Sequence, residues 1–461
     1  MYACGPTVSD YPYIGNYRAY LFEDLLRRYL EYKGYKVRMI MNITDLDDKT
    51  IAAAGGKKAE LKKLTGKYEK YFMEGLETLN VKPADEYPRA FETVDEMVAL
   101  IERLIENGAA YQIDDGSVYF SIEKYAEYGK LVNLKPEEMK AGERVSEDDY
   151  EKEGARDFAL WKSWKEEDGE IYWETPLGKG RPGWHIECSA MSMKYLGEQL
   201  DLHCGGVDNI FPHHENEIAQ SEAATGKPFV KYWVHCAHLI LEGEKMSKSL
   251  GNIKLLEDLI GDGYSPEAIR LALLSTHYRS QLDLTIDLLE DAEGKINRIK
   301  SFLASMKRVD GDNSNVKIKE KLERTSSEFE QALDNNLYVT GALDAVFGMI
   351  GEMNRLRDKG KLGKQSASRI METFDKFDNV LKLNPREQIE IDDNIRISDE
   401  ILVRVTRGGK APHDIEEMAE RRVMARKEKN WEEADKLRDD MDKAGWQIED
   451  IENGFVLKKK G

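Results

Sequence analysis

Cysteine is scarce in this chain: Cys4, Cys188, Cys204 and Cys236 are the only four among 461 residues. So few and so scattered, they exclude a disulfide scaffold and fit metal or plain thiol roles in a reducing compartment. Long apolar runs are missing too, and none approaches the roughly 20 residues needed to span a bilayer. The first residues do not form the basic-then-apolar pattern of an export signal. The expected location is therefore cytoplasmic, with no membrane partner. Positive charge is in deficit: the net charge is −19, which argues against a broad electrostatic footprint for nucleic acid. Any RNA contact has to be local, and the run Phe455 to Lys460 is one small basic patch. Internal repeats and low-complexity tracts are absent.

What is present describes a protein with packed cores and heavily solvated helices: 41% hydrophobic residues, 34% charged, and a mean hydropathy of −0.61. The length exceeds what one core supports, so about two to four domains are expected. Tyr2 to Cys4 reads as the end of a strand, broken by Gly5-Pro6. Leu21, Phe22, Leu25, Leu26, Tyr29 and Leu30 recur at helical spacing until Gly34 stops the helix. Val37 to Met41 is a β-branched and apolar run, so the opening predicts a parallel strand-helix-strand unit. Its ligand is expected beyond the carboxyl ends of the strands, near Cys4, Tyr13 and Thr44.

Residues 60 to 110 read as two charged amphipathic helices, followed by short strands at Gly116 to Ser121 and Ile171 to Trp173 in an irregular insertion. An α/β pattern returns from Cys188 to about residue 260, and from Ser265 the chain reads as almost wholly helical, with a loop at Asp310 to Asn315. A less regular connector is predicted over 386–412, then a helical hairpin from Asp414 to Lys443 and a strand at Phe455 to Leu457.

Several short segments carry chemistry. In Glu244-Lys245-Met246-Ser247-Lys248-Ser249, two lysines bracket a hydroxyl between Gly243 and Gly251. Such a loop suits the charge that develops on a triphosphate, or it is a solvated basic turn. Pro12-Tyr13-Ile14-Gly15-Asn16 opens a helix soon after a strand, where phosphates bind in nucleotide-binding α/β folds. His213 and Glu217, four apart on a helix that Pro212 could start, face the same way and make a workable zinc pair. Read on spacing alone, a polar helix start with Cys188 a core cysteine elsewhere is the favoured reading. Asp45, Asp47 and Asp48 could bind magnesium or a substrate amine, or complement a helix dipole. Gly178-Lys179-Gly180-Arg181-Pro182-Gly183 matches a dinucleotide fingerprint literally, but Pro182 and the lack of a surrounding βαβ unit speak against it. A glycine-rich active-site loop is expected there.

In this order and at these distances, the two nucleotide segments resemble the signatures of class I aminoacyl-tRNA synthetases. Met1 to Thr7, Asn42 to Lys49, Gly183 to Cys188, Phe211 to Gln220 and Lys245 to Ser249 resemble cysteinyl-tRNA synthetases at that family's spacing, over essentially the full length. The resemblance implies a Rossmann-like α/β catalytic domain over residues 1–262 with an insertion at approximately 85–180. It further implies a helical bundle over 263–385, then a connector and small anticodon-binding domain over 386–461. It implies one zinc held by Cys4, Cys188, His213 and Glu217, with Thr44 and Trp184 beside the amino acid. Tyr13, Gly15, Asn16, Lys245 and Lys248 are the implied catalytic residues, with Gly15, Asn16 and Lys248 on ATP, which is used together with magnesium. Arg426, Trp431, Asp435 and Asp450 align with the anticodon-reading region. The implied partners are tRNA(Cys), L-cysteine and ATP, acting on a monomer.

Two departures stand out. Family members carry a further segment ahead of the first strand, so a strand beside the active site is expected to be missing here. The family's histidine at the start of the first signature is Tyr13, whose hydroxyl can donate a hydrogen bond but cannot carry positive charge.

Overall fold

A computed structural model describes residues 1–134, 139–145, 155–246, 251–311, 317–384, 395–398 and 401–406, parts of 415–426, then 430–451 and 454–459. The amino-terminal half is built on β1 (Tyr2–Ala3), α1 (Ile14–Tyr32), β2 (Ile40–Met41), α2 (Asp48–Ala53) and α3 (Lys58–Thr78). α4 (Val94–Glu106) leads into the insertion strands β3 (Ala110–Gln112), β4 (Val118–Phe120), β5 (Met139–Val145), β6 (Ala155–Ser163), β7 (Trp173–Thr175) and β8 (Gly178–Pro182). The chain returns through α5 (Trp184–Leu196), β9 (Leu200–Gly206), α6 (Glu215–Thr225) and β10 (Val230–Cys236).

β10, β9, β1 and β2 form, in that order, a wholly parallel sheet. Parallel sheets are covered on both faces, and Tyr2 and Ala3 accordingly have no exposure at all. β1 is two residues long, so the predicted strand at Val37 to Met41 pairs only at Ile40 and Met41. Gly5 lets the next turn approach β2: a β-carbon there would sit 1.6 Å from the Asn42 carbonyl oxygen.

The insertion is a six-stranded sheet, ordered β3-β4-β6-β8-β7 with β5 on β6. Two expectations change here. The strand expected at Ile171 to Trp173 begins at Trp173 and runs to Thr175, because Ile171 is buried in the core instead. Gly178 to Pro182 is a strand rather than a loop. Its glycines serve close packing: a β-carbon on Gly180 would lie 2.3 Å from the Lys162 carbonyl, and one on Gly183 2.2 Å from that of Ala159.

After β10 come β11 (Leu239–Leu241), β12 (Glu244–Lys245), α7 (Leu256–Gly261), α8 (Pro266–Leu274) and β13 (Leu282–Leu284). A helical region follows: α9 (Ile286–Lys307), α10 (Lys317–Asp334), α11 (Val339–Asp358) and α12 (Lys364–Leu381). The fully buried Arg270 of α8 joins the two regions: it pairs with Asp24 of α1 at 2.6 Å and donates to the Leu381 carbonyl at the end of α12. Most of the predicted loop, from Asp312, lies outside the described residues.

The carboxyl-terminal part keeps helix on both sides of Asn430, with helical positions among the described residues of 415–426 and again from Trp431, but the connector is not irregular. It holds β14 (Ile395–Ser398), β15 (Ile401–Thr406), α13 (Trp431–Lys443), β16 (Trp446–Ile451) and β17 (Gly454–Lys459), with the strands in one sheet ordered β14-β15-β17-β16. Alternate β-branched residues, Ile395 and Ile397 then Ile401, Val403 and Val405, carry the strand period that the connector reading overlooked. Among the described residues, no helix is long and apolar enough to cross a membrane.

Candidate active site and metal centre

The two signature segments meet at the start of α1. Tyr13 is the N-cap residue, its N–H donating to Asn16 Oδ1 at 3.0 Å while the Asn16 N–H donates back to the Tyr13 carbonyl. Asn16 therefore caps the helix that its own backbone belongs to. The Ile14 N–H donates to the Lys254 carbonyl at 2.9 Å, and Tyr13 bridges to Leu255. Met246 lies against Gly15, where a β-carbon would be 2.9 Å from Met246 Cε. Lys245 is exposed on β12, and its carbonyl accepts from the Asn252 side chain. Lys248 lies outside the described residues.

Beneath this edge is a buried cluster. The ligand atoms of Cys4, Cys188, His213 and Glu217 all lie within 4.8 Å of one another. Cys4 follows β1, its N–H bonded to the Cys204 carbonyl, and Cys188 sits in the second turn of α5. His213 precedes α6 and reaches Glu217 Oε1 at 3.2 Å and Cys188 Sγ at 3.4 Å through the same Nε2. Three donor atoms thus converge at separations that a single shared ion would also satisfy. Glu217 Oε1 is buried and has no hydrogen bond among the described residues. Two thiols, an imidazole and an orphaned carboxylate oxygen fit a borderline-soft dication such as zinc.

Electrostatics agree. Burial pushes His213 down to about 3, keeping it in the neutral form that donates a lone pair. A hydrogen bond with Cys188, then burial, raises the Cys4 thiol; a bound dication inverts that direction.

Four side chains that the sequence did not single out join this cluster. His203 Nε2 lies 3.0 Å from Glu217 Oε2, and His214 Nε2 lies 3.3 Å from Cys4 Sγ. With Cys4 and Glu217 they make a second set of close ligand atoms. His235 backs His214 at 2.8 Å, and Trp233 stacks on His203 with centroids 4.5 Å apart. The one signal available was density: His185, His203, His213, His214 and His235 are five of the chain's 8 histidines.

Trp184, at the start of α5, stacks on His213 with centroids 4.3 Å apart and an interplanar angle of 22°. Thr44 is buried against the same helix, accepting from Asn42 at 3.1 Å and donating to Glu187 Oε2 at 3.3 Å. The acidic triplet divides. Asp45 is buried and accepts from the Phe91 N–H, Asp47 caps α2 by accepting from the Thr50 N–H, and Asp48 pairs with Lys162 and Arg181. None of the three carboxylates stands idle for an ion.

The terminal residues are far from this centre in sequence and separately placed. Trp431 opens α13 and is 57% exposed, with the Arg426 guanidinium 5.8 Å from its ring centroid. Asp435 pairs with Arg438 at 3.4 Å, and Asp450 occupies a position in β16 opposite Phe455.

A parallel nucleotide-binding sheet, with the first signature opening α1 and the lysine segment packed on it, defines the class. Residues 1–294 match the family described as tRNA synthetases class I (C) catalytic domain, and the chain is a class I aminoacyl-tRNA synthetase. Methionyl-tRNA synthetase of Mycobacterium tuberculosis shares the fold, with a TM-score of 0.57 over 83% of this chain and 90% of that one, at 15% identity. The particular family follows from closer relatives. A cysteine–tRNA ligase from Chlamydia caviae is 43% identical over 463 residues, covering 100% of this chain and 93% of that protein. One from Brachyspira hyodysenteriae is 43% identical over 465 residues, covering 100% and 94%. The chain belongs to the cysteine–tRNA ligase family.

Proposed function

We propose that the protein joins L-cysteine to tRNA(Cys) in two steps, using ATP with magnesium. The cysteine carboxylate attacks the α-phosphorus of ATP and pyrophosphate leaves, giving cysteinyl-adenylate. The terminal adenosine hydroxyl of the tRNA then takes the acyl group and AMP leaves. The single observation that carries the reading is the convergence of Cys4, Cys188, His213 and Glu217 under the edge where the two signatures meet.

Little covalent chemistry falls to the protein, so its work is positioning and charge stabilisation. Gly15 admits the nucleotide to the start of α1, Tyr13 and Asn16 donate to phosphate, and Lys245 and Lys248 close over the pyrophosphate side. Thr44 and Trp184 flank the amino acid, with Trp184 also fixing the plane of His213. Cys4, Cys188, His213 and Glu217 would hold zinc, which when bound supplies a Lewis acid that ionises and binds a thiol far more readily than an alcohol. Selection by coordination matters because a pocket that only fits one of two isosteres discriminates by about a hundredfold.

The remaining assignments are parts of the same reading. Residues 1–262 with their insertion carry the chemistry, 263–385 form the bundle, and 386–461 read the anticodon through Arg426, Trp431, Asp435 and Asp450. The enzyme acts as a cytoplasmic monomer. The test is exchange of labelled pyrophosphate into ATP by the purified, zinc-loaded protein. Cysteine should drive it and serine should not; exchange driven equally by serine, or by neither, contradicts the reading.

A further inference from the structure

Lys162 on β6 and Arg181 on β8 are direct cross-strand partners in an antiparallel pair. Two cations placed opposite each other destabilise such a pair, so this register needs a counter-charge. The charge shared by both cations comes from outside the insertion. Asp48, the first residue of α2, pairs with Lys162 Nζ at 3.0 Å and with an Arg181 guanidinium nitrogen at 2.6 Å. Asp168 holds Arg181 from the other side at 3.0 Å. Lys162, Arg181 and Asp168 are nearly buried, while Asp48 is half exposed.

The backbone docks at the same place. The Glu170 N–H donates to the Gly56 carbonyl at 2.7 Å, and a β-carbon on Gly56 would meet Gly169 Cα at 3.0 Å. Glycine faces glycine, so the turn after α2 and the insertion touch main chain to main chain.

Both segments that carry the proposed amino-acid-binding residues lead into this cluster. Asp48 follows Thr44 in one connection, and Trp184 follows Arg181 in the other. The Gly183 N–H, between Arg181 and Trp184, is bound to the Leu160 carbonyl of β6, the strand that carries Lys162, so the start of α5 is tied to that strand.

We propose that Asp48, Lys162 and Arg181 are positioning residues: an ionic latch that docks the insertion on α2 and sets the distance between Thr44 and Trp184 across the cysteine pocket. The inference rests on the proposed function for what the pocket binds. The latch itself is a statement about where two segments stand.

Asp48→Asn removes the shared counter-charge. It should raise the KM for cysteine in pyrophosphate exchange by about ten- to a hundredfold, since small misplacements of binding groups cost that much. The KM for ATP and the zinc content should stay at the parent's values, and Asp48→Glu should restore cysteine affinity. Amide hydrogen exchange should speed up at residues 183–188 and 44–48, and not in α9 to α12. If Asp48→Asn does not fold, the double variant Asp48→Asn/Lys162→Gln, which removes the opposed charge as well, should show the same two effects. A cysteine KM within about twofold of the parent, a matching rise in the ATP KM with loss of zinc, or unchanged exchange at 183–188 overturns the latch. A parent protein with no cysteine-dependent exchange contradicts the function instead, and the hydrogen-exchange comparison still decides the latch.

Discussion

Gly15 and Met246 touch: a β-carbon on Gly15 would come within 2.9 Å of Met246 Cε and 3.1 Å of the Tyr13 ring. One residue belongs to the segment that opens α1 and the other to the lysine segment, 231 positions apart in the numbering by subtraction, 246 − 15. The contact couples the two nucleotide elements directly. Gly15→Ala should therefore lower kcat/KM for ATP by about ten- to a hundredfold while leaving zinc content unchanged. Met246→Ala, by vacating the space on one side, should recover part of that loss in the double variant. Steady-state exchange kinetics of the single and double variants check this.

The two overlapping ligand sets make different predictions for zinc. If Cys188 and His213 bind the ion, Cys188→Ser should bring the purified protein well below one equivalent. His203→Ala, which frees the other oxygen of Glu217, should weaken zinc by about ten- to a hundredfold without abolishing it, the usual cost of losing an outer hydrogen bond to a ligand. Metal analysis and chelator competition separate the two. The reverse order would assign the ion to Cys4, His203, His214 and Glu217.

Much of this site could be read before the fold was known, for a physical reason. The signature segments are contiguous, and each sits where a strand hands over to a helix, so local spacing carries their meaning. His203 and His235 lie on neighbouring strands, β9 and β10, and no interval between them in the sequence announces that they converge. The glycines of 178–183 misled in the opposite way. Their pattern imitates a phosphate loop, whereas Gly180 and Gly183 answer to carbonyl oxygens of β6 that only the sheet brings near. The opposed Lys162 and Arg181 were invisible for the same reason: register is a property of pairing, not of either strand.

Glu23 on α1 is fully buried, and neither carboxylate oxygen has a hydrogen bond among the described residues. Burial raises its pKa well above the ordinary 4.5. The folded protein therefore keeps a proton that the unfolded chain releases. This contribution to stability is fully present below the unfolded value and is lost as pH rises through the folded one. Relative to the parent, Glu23→Gln should gain stability with rising pH, by at most about 1.4 kcal/mol per pH unit. Denaturant unfolding at pH 5 through 9 measures it; a difference that does not change with pH contradicts a protonated Glu23.

Trp431 is the test of RNA reading at the far end. Its indole is exposed beside Arg426, suited to stacking on an unpaired base. Trp431→Ala should weaken tRNA charging by about 1–3 kcal/mol in kcat/KM and leave pyrophosphate exchange, which needs no tRNA, unchanged. Loss of both would point to a structural role in the terminal sheet.

The central claim is that this chain selects cysteine and places it on one tRNA. Charging of tRNA transcripts with labelled cysteine, comparing a GCA anticodon with altered ones, measures it most directly. The account predicts cysteine on the GCA transcript, little on the others, and no serine on any. Cysteine-dependent exchange without transfer to tRNA, or equal charging whatever the anticodon, would contradict it.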